Sequence, residues 1–293
     1  MKIATWNVNS LAVRLPQVLD WLAANLVEVL CLQELKIPDE KFPLQALQDA
    51  GYGHCAVFGQ KTYNGVAIIS RLPLHDVTKN IDGFADEQSR VIAATIETAQ
   101  GPLRLVNGYF VNGQAPDSDK FAYKMQWLDS LRGWLSREIK RTPRLVLVGD
   151  FNITLDDRDT HDPQGLHETI HHTTEEREQF KALLNLGLVD AFRLFDQPDK
   201  SYSWWDYREF AFRRNRGLRI DYILVSEPLK PLVAGCVIDK LPRKNERPSD
   251  HVPVVVELGG KPALVIRAKT EMDSCPPIRS RAGFAGMTAW WRD

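Results

Sequence analysis

Short apolar runs alternate along the chain with polar groups set at their ends. Ile3-Ala4-Thr5-Trp6 leads to Asn7, Val29-Leu30-Cys31-Leu32 to Gln33 and Glu34, and Leu103-Arg104-Leu105-Val106 to Asn107 and Tyr109. Leu145-Val146-Leu147-Val148-Gly149 leads to Asp150 and Asn152, Ile220 to Val225 carries Asp221, and Ser249-Asp250-His251 precedes Val252-Pro253-Val254-Val255-Val256. Runs of this length and β-branched content predict buried strands. A lone Asp or Asn after a strand is ordinarily a turn former. Six such sites carrying carboxylate, amide, phenol and imidazole predict instead one cleft beyond the strand ends, because unpaired buried charges cost several kcal/mol each.

Between these runs the apolar period lengthens. Leu15, Val18, Leu19 and Leu22 predict a helix over about residues 14–25, and others are predicted over about 43–50, 118–140 and 174–186. Further strands are predicted over 66–70, 91–97 and 144–149, with three more near 220, 235 and 254. Two βα-rich halves, 1–115 and 118–258, predict an α/β fold of two packed mixed sheets with helices outside. Residues 154–174, dense in Asp and His without apolar period, predict a long surface loop of the functional kind. From 259 to 293 six basic residues stand against three acidic ones, a net +3, among Pro, Gly and Ser. This tail, which ends near Trp290-Trp291, is expected to have little fixed structure and to be dispensable to a catalytic domain spanning 1–258.

Composition narrows the class. At 293 residues, with 44% apolar and 26% charged side chains, the chain reads as soluble and globular. The net charge of -1 means that any nucleic-acid site must arise from local clustering. No leader-like segment and no apolar run of about 18 residues is present, so a cytoplasmic protein without membrane contact is expected. Cys31, Cys55, Cys236 and Cys275 lack metal-ligand spacing and read as reduced thiols.

Oxygen donors without paired Cys or His ligands favour a hard cation, and Mg²⁺ is the usual one where a phosphate must also bind. Glu34 is the best single ligand candidate, with Asn7, Asp250 and Asp150 able to add to its shell. Phosphodiester hydrolysis needs an activated water and a polarised phosphoryl group. Asp150 fits a base, Asn152 a neutral donor beside it, His251 a donor to a phosphoryl oxygen and Asp221 the carboxylate that orients the ring. A lone His after a strand is more often structural, so the role of His251 leans on its neighbours. Tyr202-Ser203-Trp204-Trp205-Asp206-Tyr207-Arg208, followed by Arg213, Arg214, Arg216 and Arg219, interleaves aromatics and cations in a manner suited to DNA. A half-buried strand with a solvated basic loop is the alternative.

Taken in order, Trp6-Asn7-Val8-Asn9, Leu32-Gln33-Glu34-Leu35-Lys36, Tyr63-Asn64-Gly65-Val66-Ala67, Gly149-Asp150-Phe151-Asn152-Ile153, Gly217-Leu218-Arg219-Ile220-Asp221 and Ser249-Asp250-His251 resemble the signature of the exonuclease III family. That family belongs to the endonuclease/exonuclease/phosphatase superfamily, and the resemblance spans about residues 1–258. It implies a four-layered α/β/β/α sandwich and a monomeric base-excision-repair enzyme. The implied activity is Mg²⁺-dependent cleavage, with Mn²⁺ able to substitute, of double-stranded DNA at abasic sites, nicks, gaps or 3′ ends. It implies that Tyr109, Asp150, Asn152, Asp221 and His251 are catalytic and that Asn7, Glu34 and Asp250 lie at the metal. Trp204 and Leu218 then line the pocket for an abasic sugar or terminal nucleotide, Arg90 and Asn112 occupy phosphate-contacting positions, and Lys36 is a weaker electrostatic candidate.

Two other readings remain. One is a superfamily member acting on another substrate, such as an inositol-phosphate phosphatase, a sphingomyelinase or a secreted deoxyribonuclease. The other is a catalytically silent nucleic-acid-binding protein. The Trp204-Trp205 segment and its arginines favour DNA, and the complete set of polar strand ends favours catalysis. Before Thr173 many abasic endonucleases of the family carry a small residue, whereas this chain has Ile170-His171-His172. An imidazole there, His171 above all, narrows the channel for continuous duplex and predicts a bias toward 3′ ends; the alternative is that both rings face solvent.

Overall fold

The computed structural model describes residues 1–259. Its first half runs β1 (Lys2–Asn7), α1 (Leu11–Asn25), β2 (Val29–Gln33), α2 (Leu44–Asp49), β3 (His54–Phe58), β4 (Val66–Ser70), β5 (His75–Lys79), β6 (Val91–Thr98) and β7 (Gly101–Tyr109). The second runs α3 (Asp119–Arg141), β8 (Leu145–Asp150), α4 (Thr174–Leu184), β9 (Leu188–Asp190), β10 (Asp221–Ser226), β11 (Val233–Ile238) and β12 (Val254–Leu258). The strands form two six-stranded sheets, ordered β11-β12-β1-β2-β4-β3 and β5-β6-β7-β8-β10-β9. Each is mixed, with a parallel pair at its centre, β1 with β2 and β7 with β8.

Alternation along each strand divides its residues between two cores. Ile3, Cys31, Val146, Val148 and Ile223 point into a core between the sheets. Trp6, Leu30 and Leu32 point the other way, onto Val18, Leu22 and Leu47 of α1 and α2, while Leu147 and Leu224 meet Trp127, Leu131 and Phe180 of α3 and α4. Each fully buried side chain of this size contributes roughly 1.5–3 kcal/mol. The result is the four-layered α/β/β/α sandwich.

The same alternation places the polar strand ends. Counting by twos from Ile3, Cys31, Leu105, Val148 and Ile223 reaches Asn7, Gln33, Asn107 and Tyr109, Asp150 and Asp221, all at inter-sheet positions. Register brings them level: Asn7 pairs with Gln33, and Asp150 with both Tyr109 and Asp221. Gly149, at φ 142°, makes the last step possible, because a Cβ there would lie 1.8 Å from the Gly108 carbonyl oxygen.

Local signals set most helix ends. Ser118 caps α3 by accepting from the Phe121 amide, and Thr173 with Glu176 forms a capping box on α4. Helix α1 begins at Leu11 rather than near Arg14, because the Ser10 and Leu11 amides donate to the Glu34 and Leu35 carbonyls at 2.8 and 3.0 Å. Residues 154–174 are less superficial than their composition predicts: Asp159 is fully buried against Arg219, and Thr160 bridges to Leu218. The predicted tail beyond residue 259 and its Trp290-Trp291 pair lie outside the described residues. Among the described residues no helix is long and apolar enough to cross a membrane.

Candidate active site

The ends of β1, β2, β7 and β8 and the start of β10 meet around Asn7, which is fully buried. Its Nδ2 donates to Glu34 Oε1 and to Asp150 Oδ2, each at 2.9 Å. Glu34, Asp150 and His251 present ligand atoms that all lie within 4.8 Å of one another. Two carboxylates converging on a single amide, largely shielded from water, form a donor set suited to a hard divalent cation. The structure does not bring Asp250 into this group. Its oxygens are engaged by Trp204 Nε1 at 3.0 Å and Asn9 Nδ2 at 2.9 Å. Lys36 Nζ lies 2.8 Å from Glu34 Oε2 and 2.6 Å from Asn9 Oδ1, at the edge of the cluster.

His251 is 4% exposed and sits between two carboxylates. Nδ1 lies 2.9 and 3.1 Å from the Asp221 oxygens, and Nε2 lies 3.6 Å from Asp150 Oδ2. Burial disfavours its charged form, but Asp221 first and then Asp150 outweigh it and push the pKa up to about 10. Burial raises the pKa of Asp150 above the carboxylate range, the His251 charge opposes the rise and Asp221 adds to it. The Tyr109 phenol keeps its proton for the same reasons, burial first and then the Glu34 and Asp150 charges. Arg90, 8% exposed, lies over the Tyr109 ring at 5.0 Å and bonds Gln88 Oε1 through Nε and an Nη at 2.9 and 2.7 Å. Asn152 Nδ2 donates to the Phe110 carbonyl at 3.1 Å, its Oδ1 accepts from exposed Asn112 at 3.2 Å, and its backbone amide donates to Asp150 Oδ1 at 3.0 Å.

Beside this cluster opens a cavity of about 540 Å³ walled by Trp204, Leu218, Ile170 and His171 and rimmed by Arg208 and Arg216. Backbone bridges join Trp204 to both Leu218 and His251, which sets the cavity against the Glu34, Asp150 and His251 cluster. His172 is buried, whereas His171 is partly exposed along the cavity wall. His171 Nδ1 is 2.6 Å from the Asn152 carbonyl oxygen, and His172 is 2% exposed with Nδ1 3.0 Å from the Ile170 carbonyl oxygen. Because a carbonyl only accepts, His171 Nδ1 carries the hydrogen. Burial, and after it the Lys124 charge, push the His171 pKa down to about 3, so the ring is neutral at physiological pH.

Two residues of the site carried no functional reading in the sequence. Asn9 links Asp250 to Lys36, and its place within the Trp6-Asn7-Val8-Asn9 motif was the available signal. Lys124 is fully buried beneath Asn152, and its signal was a lysine on the mostly apolar stripe of α3.

A model of the endonuclease/exonuclease/phosphatase family matches residues 4–251. Exodeoxyribonuclease III of Haemophilus influenzae is 34% identical over 269 residues, covering 88% of this chain and 99% of that protein. Among solved structures, the Neisseria 3′ phosphatase NExo bound to product DNA hairpin superposes with a TM-score of 0.85 at 48% identity, over 89% of this chain and all of that one. An AP endonuclease from Archaeoglobus fulgidus gives 0.83 at 36% identity, over 88% and 99% of the two chains.

Proposed function

Because the chain belongs to the endonuclease/exonuclease/phosphatase family, we propose that it is a DNA repair nuclease that hydrolyses phosphodiesters with Mg²⁺, or Mn²⁺ in its place, and acts chiefly at 3′ ends, including those at nicks and gaps. The observation that carries this reading is the Asp221-His251-Asp150 series beside Glu34, set against an aromatic-walled cavity with an arginine rim. Similarity to exodeoxyribonuclease III and to the Neisseria 3′ phosphatase supports it.

Glu34, with Asn7 and Asp150 adjacent, would hold a divalent cation, which would supply Lewis-acid polarisation of the phosphoryl group. Asp150 accepts the proton of the attacking water as its oxygen bonds to phosphorus and the bond to the leaving oxygen breaks. His251 donates from Nε2 to a phosphoryl oxygen, and Asp221 keeps the ring charged and oriented. Asn152 has one amide hydrogen left after its bond to Phe110, and Tyr109 keeps its phenolic hydrogen, so both can donate to the reacting group. With Mg²⁺, abasic, blunt, recessed and 3′-phosphate duplexes should all be compared side by side. Cleavage at the 3′ ends, lost in EDTA, is the expected result; hydrolysis of phosphoinositides with all four duplexes intact would overturn the reading.

The pH dependence has a definite sign. Activity requires ionised Asp150 and charged His251, so kcat/KM should rise as Asp150 loses its proton and fall as His251 loses its own near pH 10. Asp221 is the largest support of the imidazolium, so Asp221→Asn should move the alkaline limb to lower pH. An alkaline limb that stays in place in a pH–rate profile of that variant would remove His251 from the charged role.

The rim decides between strand ends and continuous duplex. His171 holds a left-handed backbone at φ 73° and turns a tethered ring toward the Trp204 cavity, where it narrows the passage. His171→Gly opens that passage and suits the backbone. Abasic incision should rise relative to 3′ exonuclease activity in parallel assays, and an unchanged ratio would retire the steric role.

A further inference from the structure

Lys124 lies on the face of α3 that packs against the second sheet, and its side chain is fully buried. An ammonium has three hydrogens to place. Here its neighbours are the Asn112 carbonyl at 3.1 Å, the Asn152 carbonyl at 2.8 Å and the Glu176 carboxylate. The stem is packed closely enough that a Cβ on Gly113 would sit 3.0 Å from both Lys124 Cδ and Ile170 Cδ1. Glu176 passes the constraint on by accepting from the Thr173 amide at 3.1 Å and the Thr173 hydroxyl at 2.9 Å. One buried cation thus joins residues 112–113, residue 152 and residues 170–176, three segments that border the cleft.

Asn152 holds a φ of 50°, a left-handed conformation that an asparagine tolerates but surroundings must select. Its carbonyl turns to Lys124 and is shared with His171 Nδ1 at 2.6 Å. We propose that Lys124 is a positioning residue for the hydrolytic reaction, holding the backbone of Asn152 so that the Asn152 amide meets the reacting phosphate and the His171 ring keeps its place at the rim. This rests on the role given to Asn152 in the proposed function. Without the ammonium, two carbonyls and a carboxylate would be left buried without this partner, and the segment would relax to find others. Since Lys124 is out of reach of any bound duplex, the loss should fall on kcat and not on KM.

The test is a double-mutant cycle of Lys124→Met and Asn152→Ala on whichever duplex the wild-type protein cleaves. Lys124→Met should lower kcat about 10- to 100-fold, as loss of a supporting shell does elsewhere, with KM within about twofold. The double variant should be no slower than Asn152→Ala alone, because Lys124 acts through that residue. Multiplicative losses, or an unchanged kcat in Lys124→Met, would overturn the proposal. Should Lys124→Met fail to fold, Glu176→Gln, which keeps the ammonium but loosens its anchor, enters the same cycle with the same criteria. An NMR arm needs no activity: the Asn152 side-chain amide resonances should shift in the variant while those of Asn25, on the far side of the first sheet, do not. Unmoved Asn152 resonances would also overturn it, whereas a wild-type protein inactive on every duplex would sink the proposed function alone.

Discussion

Asp150→Asn should lower kcat by about 10²- to 10⁴-fold, the range that a positioned general base contributes, while leaving the protein folded and its DNA affinity intact. The substitution keeps the shape of the side chain and can preserve the contact with Asn7, yet it removes the carboxylate that lies 3.6 Å from His251 Nε2 and is proposed to take the water proton. Stability should not suffer. Burial raises the pKa of Asp150 in the folded protein above its unfolded value, so the folded state binds this proton more tightly and loses stability as pH rises through the interval between the two. The neutral amide escapes that loss, and thermal melts at pH 8 should find the variant at least as stable as wild type. Removing a negative charge next to the bound phosphate should also leave duplex binding equal or tighter. Turnover near the wild-type rate would transfer the base role elsewhere, and a collapse of the melting temperature would mean that the carboxylate serves the fold.

How the catalytic cluster could be read from the chain follows from one geometric fact. Strand side chains alternate, so a polar residue an even number of steps from an inward apolar one must enter the layer between the sheets. Asn7, Tyr109, Asp150 and Asp221 each satisfy that rule, and the structure brings them together with Glu34 and His251. Contacts that depend on distant partners left no such trace. That Lys36 meets Glu34 is settled by a turn of a few residues, at φ 54° and 56° for Glu34 and Lys36, which no periodicity reveals. Asp250 stands next to His251 in the chain, yet its carboxylate accepts from the indole of Trp204, 46 positions away. The His171 tether to Asn152 and the burial of His172 are of the same kind, long-range bonds made by a segment whose composition alone suggests solvent. Strands β5 and β9, which like β3 were not among the predicted elements, were missed for a different reason. The first is mostly exposed and the second has three residues, so neither carries an apolar period to detect.

The second large effect concerns the cation. Glu34 supplies the carboxylate at the end of β2, and its oxygens are shared with Asn7 and Lys36 at 2.9 and 2.8 Å. Cation affinity in oxygen sites follows the count of charged ligands. Glu34→Gln therefore should raise the Mg²⁺ concentration for half-maximal rate by about 10- to 100-fold, with part of kcat recovered at saturating metal. The substitution has a second consequence. Lys36, deprived of its carboxylate, becomes an uncompensated ammonium beside the metal position and repels the ion. Adding Lys36→Met to Glu34→Gln should then lower the Mg²⁺ requirement relative to the single variant, although one ligand charge is still missing. Metal titrations of rate, paired with calorimetry on the DNA-free protein, read both steps. If Glu34→Gln leaves the Mg²⁺ dependence unchanged, Glu34 is not the principal ligand.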